Sequence, residues 1–471
     1  MTKINYVFVT IMMIIALILC YIMMSYPFFW YDEAGQVWIA KGLNHYSDAL
    51  SQEGGLMDVV RNNRNYNMDP GGFSILLWFW VKISSNVLFI RFVPLFFFLV
   101  ACYFIYRYFK KIGYSTYISI IVGLLPFVIP IINTRLYEVR AYSMELAGCI
   151  LAVFAIQCIK DKVSIKSLIW VSILLAFFTT SRYGFIIVAF YASIRLLLFV
   201  IRDSSYQRII KCTIAYSIPL ISVLLLIYFG MTKYQDHQAM YVGYLSQSLR
   251  LLISPLSILF YLNILCLLIK IRKKQTISEL QIAAVSIASL YFVLSFLSLY
   301  PWDFHRTISA SFLLSLSLCE SLISFVKNDK VKEYGLFVTM IALLLFNTVR
   351  LNQKFNKMYE DEPMRELISL KESNPNALFF IASHYSPITR YYYEYMEDDE
   401  KRKTDGYPEQ FILGKDIREV LLKSNEVVQT PEVIVSQNHP DFLFLEVPSD
   451  VNINKKNYDS FNHIFTLNGD Y

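Results

Sequence analysis

Long apolar stretches fill most of the first 350 residues, and polar residues gather in short connections between them. A hydrocarbon core of about 30 Å needs about 20 apolar residues in a helix to cross it. Stretches of that length predict about eleven transmembrane helices, at 6–26, 87–109, 115–133, 141–159, 165–181, 183–201, 209–230, 249–269, 279–299, 306–326 and 333–350. The first stretch has one lysine before it and SYPFFW after it, not a small-residue cleavage site, so it is expected to be retained as an anchor.

Two shorter apolar pieces follow a different pattern. FSILLWFWVKI, residues 73–83, is too short to cross, and Trp78 and Trp80 suit the headgroup region, which predicts a re-entrant or interfacial helix. EAGQVWIA places Ala34, Val37 and Trp38 on one helical face, which predicts a short helix lying on the membrane. From about residue 351 the composition turns aqueous. ALFFIAS (377–383), EVIVSQ (432–437) and DFLFLEV (441–447) predict buried strands, and SPITRYYYEYM and GKDIREVLLKS predict helices between them. The expected architecture is an α-helical polytopic membrane domain, 1–350, with a first large exterior loop at 27–86, followed by a small exterior α/β domain, 351–471.

Charge orients this scheme. Lys110 and Lys111, Lys160, Lys162 and Lys166, Arg202, Arg208 and Lys211, Lys270 to Lys274, and Lys327, Lys330 and Lys332 fall in alternate connections. Basic residues accumulate on the cytoplasmic side, so the N-terminus is expected inside and the C-terminal domain outside. Composition agrees with a membrane protein: 56% of residues are hydrophobic and only 17% charged, against about 25% charged in a soluble domain. The net charge of +6 is spent in those connections, which argues against a nucleic-acid partner. All seven cysteines lie in or beside apolar segments, and the six histidines are scattered singly, so neither a disulfide framework nor a zinc spacing is present. No cofactor is called for. A divalent metal is compatible with the residues but nothing in their spacing supports one.

Four groups of ionisable residues are expected at the exterior boundary, where a charge is costly unless hydrated, paired or used. Asp32 and Glu33 follow the first span; they suit either a hydrated acidic pair at a helix N-terminus or a general base. Arg135, Glu138 and Arg140 crowd the turn INTRLYEVRAYS, 132–143. They suit either a local ion-pair cluster or a phosphate clamp. Asp303, His305 and Arg306 open the tenth predicted span, where arginine and tryptophan also serve as interface anchors. Asp69 precedes Pro70, Gly71 and Gly72, a combination that on its own is turn chemistry.

One span, an exterior Asp-Glu pair, an interfacial helix after a proline turn, a run of further spans and an exterior C-terminal domain together resemble the C-type, or GT-C, glycosyltransferases. More narrowly the chain resembles the dolichyl-phosphate-mannose protein mannosyltransferase-like group, which includes bacterial lipid A aminoarabinose transferases. The resemblance implies that Asp32 is the catalytic base, with Glu33 its acidic neighbour. It aligns RLYEVRAY with a family turn, Glu138 falling at a frequently acidic position and Arg140 and Tyr142 in an Arg-x-Tyr arrangement. It sets the late His305–Arg306 pair against the family's phosphate-facing basic residue. Asp69 and Pro70 match only part of the family's His-Pro-Pro-Leu-like element, whose histidine is absent here.

The implied reaction moves a sugar from a polyprenyl-phosphate donor to a hydroxyl of a glycan, lipid or protein acceptor at the outer face of a bacterial inner membrane, with inversion. Asp32, Glu33 and Glu138 would act catalytically. Arg135, Arg140, His305 and Arg306 would bind the donor phosphate, and Asp69, Tyr142 and Asp303 the substrates. The competing readings are a transporter or flippase of lipid-linked sugars and an O-antigen ligase or polymerase. The first is expected to carry paired broken spans in two halves, and the second to centre on a large late exterior loop.

Overall fold

The computed structural model describes residues 31–42, 54–230 and 248–359 apart from a few positions, scattered positions before residue 31, and beyond 359 a few residues around 369–381 with 411–413 and 442–444. Fifteen α-helices are defined there: α1 Tyr31–Lys41, α2 Leu56–Tyr66, α3 Gly72–Val81, α4 Val87–Lys111, α5 Thr116–Gly123, α6 Pro130–Asn133, α7 Tyr142–Ile159, α8 Ile165–Thr179, α9 Phe185–Arg202, α10 Tyr206–Gly230, α11 Ser248–Ile253, α12 Pro255–Arg272, α13 Glu279–Phe296, α14 Ile308–Phe325 and α15 Asp329–Tyr359. Three short strands follow: β1 Phe379–Ile381, β2 Phe411–Leu413 and β3 Phe442–Phe444.

This is an α-helical membrane protein. Six helices, α4, α7, α9, α12, α13 and α14, are long and apolar enough to cross a bilayer. The bent α10 makes a seventh if its two arms, 42° apart, are one span; Pro219 lies inside it, and proline is a common cause of such a bend. Helix α8, with 15 residues, reaches only about 22 Å. The predicted span at 115–133 is broken into α5, a 3₁₀ turn at Leu125–Phe127 and α6. The reason is chemical: Pro126 and Pro130 lack the amide hydrogen that a continuous helix needs. Backbone oxygens released at the break are taken up by side chains. Asn133 Nδ2 donates to the Phe127 carbonyl at 3.1 Å, and Asn347 of α15 donates to that of Val128. The predicted first span, 6–26, falls largely outside the described residues.

Serines set several helix starts. Ser164 and Ser254 each accept from the backbone amide three residues on, at 3.1 and 3.2 Å. Ser278 forms a reciprocal capping box with Gln281, so the first turn of α13 is closed on itself.

The chain divides into two compact units, one of residues 1–25, 63–80 and 88–353, the other of 26–62, 81–87 and 354–471. Within the first, the connections sort into two sets. At one end, the segments around Gly113, Lys160, Gln275 and Asp329 line a common cavity, and Arg208 donates to the Val163 carbonyl at 3.2 Å. At the other end, Asp69, Glu145, Arg182 and Ser309 are linked directly. The alternation read from Lys and Arg groups the same connections.

Helix α3 is the short apolar piece expected at 73–83; Trp80 stacks on Phe89 and donates its indole N–H to the Phe89 carbonyl at 2.7 Å. In the second unit, α1 is not one-sided. Ala34, Val37 and Trp38 are buried, but so are Glu33, Gln36 and Lys41. Asp32 and Gly35 of the same helix are partly exposed.

The strands form a parallel sheet of order β2-β1-β3, with Phe379 opposite Phe411 and Phe442. Strands β1 and β3 fall within the predicted 377–383 and 441–447, while β2 was not predicted. The predicted strand at 432–437 and helices SPITRYYYEYM and GKDIREVLLKS lie outside the described residues.

Candidate functional site

The site is built around the Tyr142 ring at the start of α7. Three guanidinium carbons lie near its centroid: Arg182 at 4.4 Å, Arg135 at 4.5 Å and Arg140 at 5.6 Å. Cations gather on an aromatic face because of its quadrupole, but three like charges so close repel strongly unless acids intervene. Two acids are bound to Arg182: Glu145 Oε2 lies 3.1 Å from Nη1 and Asp69 Oδ1 lies 3.4 Å from Nε. A third acid, Glu138, forms a close ion pair with Arg135. Burial works against the charge on both arginines. The neighbouring carboxylates outweigh it, leaving Arg135 above and Arg182 well above the usual arginine range. Both remain cations at any working pH.

Each position has a local cause. Helices α8 and α9 are joined by the tight turn Thr180–Gly184, which delivers Arg182. The Gly72 amide donates to the Thr180 carbonyl at 2.9 Å. A side chain at Gly72 would collide with Thr180 Oγ1 at 1.9 Å, and Gly71 has φ of +97°. Asp-Pro-Gly-Gly therefore lets the chain turn sharply and pass close against α8's end, carrying Asp69 to Arg182. Asn63 holds the same turn through its Nδ2 bond to the Asp69 carbonyl at 2.9 Å. Asp69, after burial, helps push the neighbouring Tyr183 phenol up to about 12.

Glu145 sits one turn into α7 with no exposed surface. Its second oxygen accepts from Ser309 of α14. Tyr291 of α13 donates to the Gly184 carbonyl at 2.6 Å, and its ring lies 5.3 Å from that of Tyr300. These contacts carry the 300–309 segment to the same end of the unit. Within that segment Asp303 Oδ1 accepts from the Arg306 amide at 2.7 Å, and its other oxygen lies 3.8 Å from Arg306 Nε.

Three of the four predicted groups are therefore joined: 61–74, 132–143 and 300–309. Asp69, Arg135, Glu138, Arg140 and Tyr142 belong to one connected cluster, and Asp303 with Arg306 forms its own pair in the third segment. His305 lies outside the described residues. Asp32 and Glu33 occupy the first turn of α1 in the second unit, Asp32 half-buried and Glu33 buried. Sequence reasoning missed Arg182, Glu145 and Ser309. Two signals were there: Arg182 is a lone basic residue in a short connection between apolar segments, and Glu145 is an acid inside an apolar span.

Chemically, the cluster sets three guanidinium groups against three carboxylates, Asp69, Glu138 and Glu145, around one aromatic ring. Arginine forks suit phosphate oxygens. Among the described residues no group of three or more His, Cys, Asp or Glu is placed to hold a metal ion. No protein-family model matches the chain, and no curated protein matches it.

Proposed function

We propose that the protein is a C-type glycosyltransferase of the GT-C fold with about eleven spans. It would transfer a sugar from a polyprenyl-phosphate donor to an acceptor hydroxyl at the outer face of the membrane. One observation carries this reading: three arginines, Arg135, Arg140 and Arg182, crowd one tyrosine ring at the end of a set of apolar helices. A lipid-linked donor keeps its tail in the bilayer, so its phosphate and sugar are available only at such a boundary.

In this mechanism the acceptor hydroxyl attacks the anomeric carbon as Asp32 takes its proton, and the bond from that carbon to the phosphate oxygen breaks. The departing polyprenyl phosphate keeps the electron pair. Arg140 and Arg182, both partly exposed, meet that charge, with buried Arg135 beside them. With one base and no carboxylate nucleophile, attack is direct and the anomeric configuration inverts. Asp32 stands in the first turn of α1, where the helix dipole favours an ionised carboxylate. Glu138 is held by Arg135 and acts in positioning.

The test is reconstitution of the whole chain in proteoliposomes with a panel of labelled undecaprenyl-phosphate sugars. Transfer of label to an acceptor supports the proposal. Movement of the intact donor across the bilayer with no transfer replaces it with a transporter.

A further inference from the structure

At the end of the first unit opposite the arginine cluster lies a polar cavity of about 970 Å³. Helix α7 runs between the two, about 27 Å long. The connections meeting at the cavity are those that the lysine pattern assigns to the cytoplasm. Lys270, in the last turn of α12, lines it and is only 3% exposed. Its ammonium interacts electrostatically with Glu320, which lines the same cavity. A counter-charge alone leaves an ammonium's three donors in need of acceptors; a ligand oxyanion in the cavity would supply them.

The surrounding charges narrow the ligand. Seven charged residues line the cavity: three lysines and four acids. Lys332 is paired with Asp329 at 2.9 Å. Glu279 is held bidentately by Arg195, both contacts at 2.7 Å. Glu333 accepts from Ser115 Oγ at 3.2 Å, and the remaining buried charges facing the cavity are Lys270 and Glu320. Glu320 is 3% exposed and uses one oxygen to accept from Ser278 Oγ at 2.7 Å. A simple anion on Lys270 would be repelled by Glu320. A ligand carrying both charges would satisfy the two together.

We propose that this cavity binds a zwitterionic phosphate–amine group from the cytoplasmic side, with the phosphate on Lys270 and the ammonium on Glu320. Hydroxyls and amides of Thr276, Ser324, Gln157 and Gln275 also line the cavity, which suits a group with several acceptor oxygens better than a single carboxylate. Such a group comes either as the headgroup of an inner-leaflet lipid or as a free small molecule. The site stands apart from the transfer reaction and does not depend on it.

Binding to the full chain separates the sources and tests the claim. Native mass spectrometry after exchange into phosphatidylglycerol nanodiscs containing added phosphatidylethanolamine reads the lipid, and calorimetry with O-phosphoethanolamine reads the free molecule. Preference for the amine-bearing ligand by tenfold or more over phosphatidylglycerol in the first arm, or over inorganic phosphate in the second, supports the proposal and names the source. Lys270→Met and Glu320→Gln should each weaken that binding at least tenfold. Lys270→Arg should keep most of it, and Lys273→Met, on an exposed neighbour, should leave it unchanged. Equal binding of ligands with and without the amine, or binding indifferent to Lys270→Met and Glu320→Gln in correctly folded protein, would overturn it.

Discussion

Arg182 Nη1 lies 3.1 Å from Glu145 Oε2, joining the turn between α8 and α9 to the buried face of α7. The acid has no exposed surface and the arginine side chain is 12% exposed. Removing one partner strands the other charge, a loss of about 3 kcal/mol in other buried pairs. Arg182→Met is therefore expected to lower stability by about that much, and Glu145→Gln in the same chain to restore a large part of it. Thermal unfolding of the four proteins of the double-mutant cycle measures the coupling. Additive losses would mean the two groups do not depend on one another.

Arg140 and Arg306 separate the two basic groups proposed to face the donor. Arg140 stands beside Tyr142 in the arginine cluster, and Arg306 lies beside Asp303 in a separate turn. Arg140→Ala is expected to raise KM for the lipid-phosphate donor about tenfold, and Arg306→Ala by less than threefold. Steady-state kinetics over donor concentration decide between them, and the reverse order would move the phosphate to the 300–309 segment.

The close approach at Gly72 predicts a steric effect. An added methyl meets Thr180 Oγ1 at 1.9 Å and the Thr180 carbonyl oxygen at 2.8 Å. Gly72→Ala should cost about 1–3 kcal/mol through overpacking and displace Asp69 from Arg182. Because a displacement of about 1 Å can cost about 100-fold in rate, transfer per folded molecule should fall well beyond the loss of stability. Unchanged turnover would show that the Asp69 turn has no part in the site.

Arg195 and Glu279 lock α9 to α13 at the other end of the unit, with Tyr191 donating to the same carboxylate at 2.9 Å. Arg195→Met is expected to lower stability by about 2 kcal/mol while leaving transfer per folded molecule unchanged. Comparing unfolding midpoints with specific activity checks both halves of the prediction.

What was legible in the sequence follows from the strength of each physical signal. Apolar length marked α4, α7, α9, α12, α13 and α14 because a bilayer tolerates few alternatives to a long apolar helix. The same measure overran at 115–133, where Pro126 and Pro130 override an apolar run that hydropathy alone reads as continuous. Crowded charge at 132–143 marked Arg135, Glu138 and Arg140. Arg182 and Glu145 escaped because each is single in its segment, and their pairing spans 37 positions that only the packing of α7 against the α8–α9 turn brings together. β2 was missed because its apolar run, Phe411–Leu413, stands alone between polar residues and a glycine, whereas β1 and β3 sit within the longer apolar stretches ALFFIAS and DFLFLEV.

The proposed reaction turns on Asp32 removing a proton from the acceptor as a lipid-linked sugar is transferred. The most direct measurement is the single-turnover transfer rate from a saturating undecaprenyl-phosphate sugar, wild type against Asp32→Asn. An amide keeps the shape but cannot serve as the base, and general base catalysis contributes about 10²–10⁴-fold. A fall of at least about 100-fold with donor binding unchanged is expected. Transfer by Asp32→Asn at the wild-type rate would contradict it.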